Sequence, residues 1–218
     1  MSSLVVVVGL TREARIVGSG ARVLIGGRGL NTEFGERPAA LMSFGLCGAL
    51  DPRLEIGDLV LGETVIGQNG RFHADPVWTS QLEAAAPSAR RTGIAGGPAI
   101  IASRADKAAL WAASGAGAVD MESHLVAEAA ARLGIPFAVL RAVSDRADHA
   151  VPRAAQAGFA INGRPNVAAV LMALLARPSE VPALIRTALN AETAFTALGG
   201  CREAFSWRPE RERELEAA

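Results

Sequence analysis

The sequence predicts an α/β fold in which a twisted, mixed but mainly parallel sheet forms the middle of three layers. Three observations carry that expectation. Apolar β-branched runs of strand length alternate with helix-length segments along the chain. The strands begin or end at glycines, and the helices carry recognisable caps. The chain has 218 residues, half of them hydrophobic and a fifth charged, enough for one large domain with a buried core.

Taken in order, Leu4–Val8 is a β-branched run that stops at Gly9 and reads as a buried strand. Thr11 is placed to cap a short helix carrying Arg12, Glu13 and Arg15. Residues 21–26 and 39–44 read as further strands, with Gly45-Leu46-Cys47-Gly48 as a glycine joint after the second. A turn at Asp51-Pro52 leads through Ile56-Gly57-Asp58 into a strand over 59–66, and 73–78 reads as an irregular loop. A short strand over 98–102 and a helix over 104–112 follow. Asp120 then caps a helix of about a dozen residues that ends near Gly134, the usual C-terminal glycine signal. Residues 135–143 give the clearest central strand, and the nearly all-apolar stretch 166–176 is expected to be a buried helix.

The C-terminal part is different in character. Leu184, Ala188, Ala191, Phe195 and Leu198 recur at steps of four and three, an amphipathic stripe. The expected organisation is one α/β domain over 1–178, a helical extension packed on it over 179–206, and a charged tail over 207–218.

Basic and acidic residues balance at 22 each, so no net field points to nucleic acid or an anionic membrane. Lys107 is the only lysine, which composition bias explains without invoking function. Cys47 and Cys201 have no metal-like spacing and read as reduced thiols; neither His73 nor His124 has partners at metal spacing, and His124 is expected on a helix surface. No metal and no resident cofactor are expected. Neither apolar run is long enough to span a bilayer, and the reading is a cytoplasmic protein with no stable membrane insertion.

Two stretches concentrate the acidic candidates: Val119-Asp120-Met121-Glu122-Ser123 and Arg141-Ala142-Val143-Ser144-Asp145. Glu122 has two readings. It complements the positive end of a helix dipole, or it projects into a cleft and accepts hydrogen bonds from two adjacent hydroxyls. Asp145 either terminates its strand or sits where α/β folds bind ligands, at strand carboxyl ends, and holds a proton there, with Ser144 orienting it.

The ordered set 45–50, 56–58, 119–122 and 141–145 resembles the purine nucleoside phosphorylase / methylthioadenosine–adenosylhomocysteine nucleosidase superfamily over about residues 4–175. The wording of the motifs and the extended tail are most similar to its hopanoid-associated phosphorylase branch. The resemblance implies the nucleoside phosphorylase type of sheet and cleavage of the N-glycosidic bond of an adenine nucleoside, such as adenosylhopane, with release of adenine. It implies that Glu122 takes the ribose hydroxyls with Met121 packed on the sugar, and that Asp145 protonates the imidazole side of the leaving purine. Val119, Ser144, Gly45, Cys47 and Gly48 would complete the nucleoside site.

Glu13 aligns on the glutamate that activates water in the nucleosidases; its alternative is a solvent-facing helix residue. Ile100 stands where the nucleosidases stack a phenylalanine, so base stacking would come from elsewhere, with Phe159 a candidate. If phosphate is the co-substrate, Gly9, Arg12 and Arg28 are available for it, surface arginines being the plainer reading. The resemblance further implies a small-molecule nucleoside as the partner and a homodimer or larger homo-oligomer.

Overall fold

The structure, a computed structural model, describes residues 4–19, 21–27, 30, 37–158 and 166–201. Arg28, Phe159 and the tail from 202 therefore lie outside the described residues.

Eight strands form one mixed sheet: β1 Leu4–Val8, β2 Arg22–Ile25, β3 Ala40–Ala49, β4 Leu59–Gly67, β5 Gly70–His73, β6 Arg90–Gly96, β7 Ala118–Asp120 and β8 Phe137–Asp145. Between and after them come α1 Thr11–Val17, α2 Pro76–Ala85, α3 Arg104–Ser114, α4 Ser123–Leu133, α5 Arg153–Gly158, α6 Val167–Ala176 and α7 Val181–Gly199. β1 pairs in parallel with β2 and β3, and β3 in parallel with β8. β8 then runs antiparallel to β4, which runs parallel to β6 and so to β7. β7 returns antiparallel to β3. The five strands β3, β8, β4, β6 and β7 thus close a ring, which removes sheet edges there. Local periodicity cannot signal that closure, because it depends on which distant strand each one pairs with.

Side-chain alternation along the strands explains the two cores. On β1, β3 and β8 the residues Leu4, Val6, Val8, Met42, Phe44, Ala138, Leu140 and Ala142 join one apolar cluster with Val17, Trp78, Leu82, Phe195 and Leu198 of α1, α2 and α7. Their neighbours Val5, Val7, Leu41, Cys47, Phe137, Val139 and Val143 join a second cluster with Val126, Ala127 and Ala130 of α4. Arg141 shares the parity of that second set, so it enters the core on the α4 side.

Several expectations are corrected. β3 continues through 45–49 as strand rather than stopping at a glycine loop. Residues 73–78 contain the end of β5 and the start of α2, whose N-cap Asp75 accepts from Trp78 N–H with Pro76 following. The strand expected over 98–102 is a loop, and the strand lies instead at β6. Leu10, not Thr11, is the N-cap of α1. Glu122 is the N-cap of α4, whose first turn is held by Asp120, and Gly134 closes it in the left-handed conformation as expected.

The largest reversal concerns α6. Its Leu171, Met172 and Leu175 are 56%, 67% and 77% exposed, so this apolar helix is not buried among the described residues. An apolar run fixes a helix's character but not what covers it. α7 packs through Ala194, Phe195 and Leu198, while Ala188 near its start is exposed. No single described helix is long and apolar enough to cross a membrane.

Candidate active site

A cavity of about 420 Å³ opens where the carboxyl ends of β1, β3, β6, β7 and β8 converge on the N-terminus of α4. Gly9, Glu13, Cys47, Gly48, Ile100, Val119, Met121, Glu122, Ser144 and Asp145, all expected at a site, line it together. Four acidic residues, Glu13, Asp120, Glu122 and Asp145, line it, and no arginine or lysine does among the described residues.

Each acid is placed by local structure. Glu13 lies in the first turn of α1 and turns back, so that Oε2 accepts from Gly9 and Leu10 N–H, both at 2.8 Å. Its Oε1 accepts from Leu46 N–H of β3 at 2.8 Å. This carboxylate is only 2% exposed, which excludes the solvent-facing reading. It fits only because residue 45 has no side chain: a Cβ there would sit 2.5 Å from the Glu13 carboxyl carbon, and the backbone φ is +148°. Burial pushes the Glu13 carboxyl above the usual range, with Arg141 and the three N–H donors opposing.

Glu122 leaves the N-cap of α4 and lies over Gly9, where a Cβ would meet Oε1 at 2.8 Å. It shares Arg141 with Asp120. The guanidinium, fully buried on β8, approaches Asp120 at 2.7 Å and Glu122 at 3.3 Å. It also donates to Ser43 Oγ and to the Leu46 carbonyl, and Ser43 in turn meets Ser123 Oγ at 2.9 Å. Burial first, then the negative charges of Asp120 and Glu13, push the Glu122 carboxyl up to about 7 against the pull of Arg141. One cation therefore faces three carboxylates.

Asp145 closes β8. The pairing of β3 with β8 skips Ser144, so that Gly48 faces Asp145, an irregularity of the kind that re-aims side chains at sites. Ser144 Oγ donates to the Cys47 carbonyl at 3.2 Å. Behind Asp145 stands Lys107 of α3, 1% exposed, whose ammonium donates to Asp145 Oδ1, to the Arg146 carbonyl at 2.7 Å and to the His149 carbonyl at 3.1 Å. Burial raises the Asp145 carboxyl, and Lys107 lowers it.

Arg12 is not brought to the cavity. It pairs with Glu192 of α7 and lies over the Phe195 ring at 4.2 Å, because its position on α1 faces away from Glu13. Gly9 does line the cavity, but its N–H is already given to Glu13. Arg28 lies outside the described residues. His124, expected on a helix surface, is 9% exposed and lines the cavity, with no hydrogen-bond partner for Nδ1. Burial pushes the Cys47 thiol up, consistent with a small apolar filler in the wall. Among the described residues no group of three or more His, Cys, Asp or Glu could hold a metal ion.

Sequence reasoning gave no site role to Asp120 beyond capping, and none to Arg141, Lys107 or His124. Arg141 did carry a signal: a charge inside an otherwise apolar strand must find buried carboxylates. Lys107 carried none beyond its rarity.

A profile of the phosphorylase superfamily matches residues 21–176. The chain belongs to that superfamily. No curated protein matches the sequence. Among solved structures, an S-adenosylhomocysteine nucleosidase from Streptococcus pyogenes, bound to 5-methylthiotubericidin, superposes with a TM-score of 0.62 at 19% identity, covering 80% of this chain and 96% of that one. The Campylobacter jejuni 5′-methylthioadenosine/S-adenosylhomocysteine nucleosidase gives 0.62 at 17%, covering 93% and 100%. Futalosine hydrolase of Helicobacter pylori gives 0.55 at 17%, covering 66% and 88%. At these identities the likeness establishes the phosphorylase-superfamily fold, with its mixed sheet and flanking helices.

Proposed function

We propose that this protein hydrolyses the N-glycosidic bond of a purine nucleoside, a 5′-substituted adenosine, and releases adenine. The observation that carries the reading is the cavity lining: four acidic residues and no arginine or lysine among the described residues, with Arg141 and Lys107 held behind them. Such a wall suits a sugar that becomes positively charged as its bond to the base breaks, and it disfavours an anionic phosphate as nucleophile.

Three of these acids have one task each. Asp145 donates a proton to the imidazole-side nitrogen so that the base leaves neutral, help typically worth about 10²–10⁴ in rate. Glu122 accepts hydrogen bonds from the two ribose hydroxyls, and Met121 packs on the sugar. Glu13 takes a proton from water as the hydroxide oxygen bonds to the anomeric carbon. Its carboxylate offers about four acceptor positions, and three are occupied by backbone N–H groups. The remaining one holds the water in a fixed direction, and the upward push of burial makes this carboxylate a better base. No resident cofactor enters the scheme.

Leu10, Leu125, Ile100 and Ile101 make part of the wall apolar, which supports a substrate with an apolar 5′ arm. The resemblance to the hopanoid-associated branch points the same way, to adenosylhopane. The test is to incubate the protein with several 5′-substituted adenosines, with and without phosphate, and to identify the products. Adenine and a free sugar, formed without phosphate, are expected. A sugar 1-phosphate formed only with phosphate contradicts hydrolysis, and no adenine from any of them makes this a silent nucleoside-binding protein.

A further inference from the structure

The chain contains 22 basic residues, of which one is a lysine. That lysine is not on the surface. Its side chain is 1% exposed and its ammonium is committed to Asp145 Oδ1 and the carbonyls of Arg146 and His149. The three N–H bonds of an ammonium match these three acceptors, so nothing on Lys107 is left for solvent or ligand.

A buried cation usually favours arginine, which is more weakly hydrated and offers a planar fork. Everywhere else this chain uses arginine, including at Arg141, where the same cavity's other acids are held. The chemical difference that separates the two residues is that lysine can release its proton within reach of protein chemistry and arginine cannot.

We propose that Lys107 is a positioning residue for Asp145 that also keeps it supplied with the proton transferred to the leaving base. This rests on the assignment of Asp145 as the acid. The pair exists in two arrangements with the same number of protons: ammonium with carboxylate, or amine with carboxylic acid. The Nζ–H bond breaks as its proton passes to Asp145 Oδ1, which turns the pair into amine and carboxylic acid, and that one proton then leaves Asp145 for the purine nitrogen as the glycosidic electron pair stays with the base. The products are a neutral base, a carboxylate and a neutral amine, which water reprotonates after release. The consequence is that the protein does not need an isolated, separately protonated Asp145. The pair as a unit holds the one proton that the base takes.

Other groups border the pair without replacing it. Ser144 and Cys47 lie on the β3–β8 side. Arg146 is engaged by Glu55 and Asp148, and His149 meets Asp148 at 2.7 Å. Across the cavity, Arg141 is shared by Asp120 and Glu122, with Glu13 close by.

The experiment measures kcat and KM for adenine release between pH 5 and 9 in the full-length wild type, Lys107→Met and Lys107→Arg. The methionine variant keeps the shape and loses the proton. Its kcat at pH 8 is expected to fall about 100-fold with KM changed less than about threefold, since general-acid help is worth about 10²–10⁴. Its rate should then recover roughly tenfold for each pH unit lowered toward 5, as Asp145 must be protonated alone. The arginine variant keeps the charge and should lose kcat without such recovery.

Wild-type kcat and pH profile in both variants overturn the inference and leave the nucleosidase reading standing. If Lys107→Met does not fold, the arginine variant and the wild type decide: a wild-type kcat that falls tenfold per pH unit from pH 6 overturns the inference. No adenine release by the wild type from any adenosine overturns both.

Discussion

The two acidic regions of the cavity are built on opposite principles. Around Arg141, three carboxylates share one guanidinium, so negative charge is in excess and one acid is pushed toward neutrality. Around Lys107, one carboxylate has one ammonium, and the charges balance. The first arrangement suits a place where a cationic sugar forms; the second suits a place where a proton is passed. The difference teaches that the cation partnering a buried acid says as much about its task as the acid does.

The largest effect should come from breaking the balanced side. Asp145→Asn keeps the shape and removes the transferable proton; kcat should fall about 10²–10⁴-fold with nucleoside affinity nearly unchanged, read by adenine release and calorimetry. Unaltered turnover would remove Asp145 from the mechanism. Next, Arg141→Met leaves Asp120, Glu122 and Glu13 buried without their cation. Breaking a buried pair from one side costs about 3–5 kcal/mol, or roughly 6–20 °C in Tm for a chain of this size. A Tm within 2 °C of wild type would show that the three acids do not depend on it.

A subtler test uses pH. The Glu122 carboxyl is pushed up to about 7, above its unfolded value, so the folded state holds the extra proton between about 4.5 and 7. Ionising Glu122 therefore costs stability as pH rises through that window. Glu122→Gln should be more stable than wild type at pH 8, by roughly 1–3 kcal/mol, and equal to it near pH 4.5. Urea unfolding at the two pH values checks this, and a difference independent of pH contradicts the excess of charge.

The smallest effect is expected at Arg12, whose exposed pair with Glu192 is worth about 0–1 kcal/mol. Arg12→Ala should leave kcat unchanged with or without phosphate. A phosphate-dependent loss would bring Arg12 back to the site.

Much of this was legible in the chain. The β-branched run of β1, the glycine at the end of α4 and the apolar β8 each follow from local chemistry, and the sheet parity they impose sends Arg141 toward Glu122. β7 has three residues, too few for periodicity, and the polar first half of β6 hides a strand. The Asp75-Pro76 start of α2 is a local signal, an aspartate N-cap followed by proline in the first turn, that marks a helix where an irregular loop was expected. Lys107 could not be placed from sequence, since it is 38 residues from Asp145 and reaches it only through tertiary packing. α6 failed for a related reason: apolarity is local, and cover is not.

The most direct test of the central claim is the crystal structure of Asp145→Asn bound to a 5′-substituted adenosine. The account predicts the ribose diol on the Glu122 carboxylate and the imidazole side of adenine within hydrogen-bond distance of residue 145. A nucleoside bound in the reverse sense, with its base at Glu122, or bound outside this cavity, would contradict it.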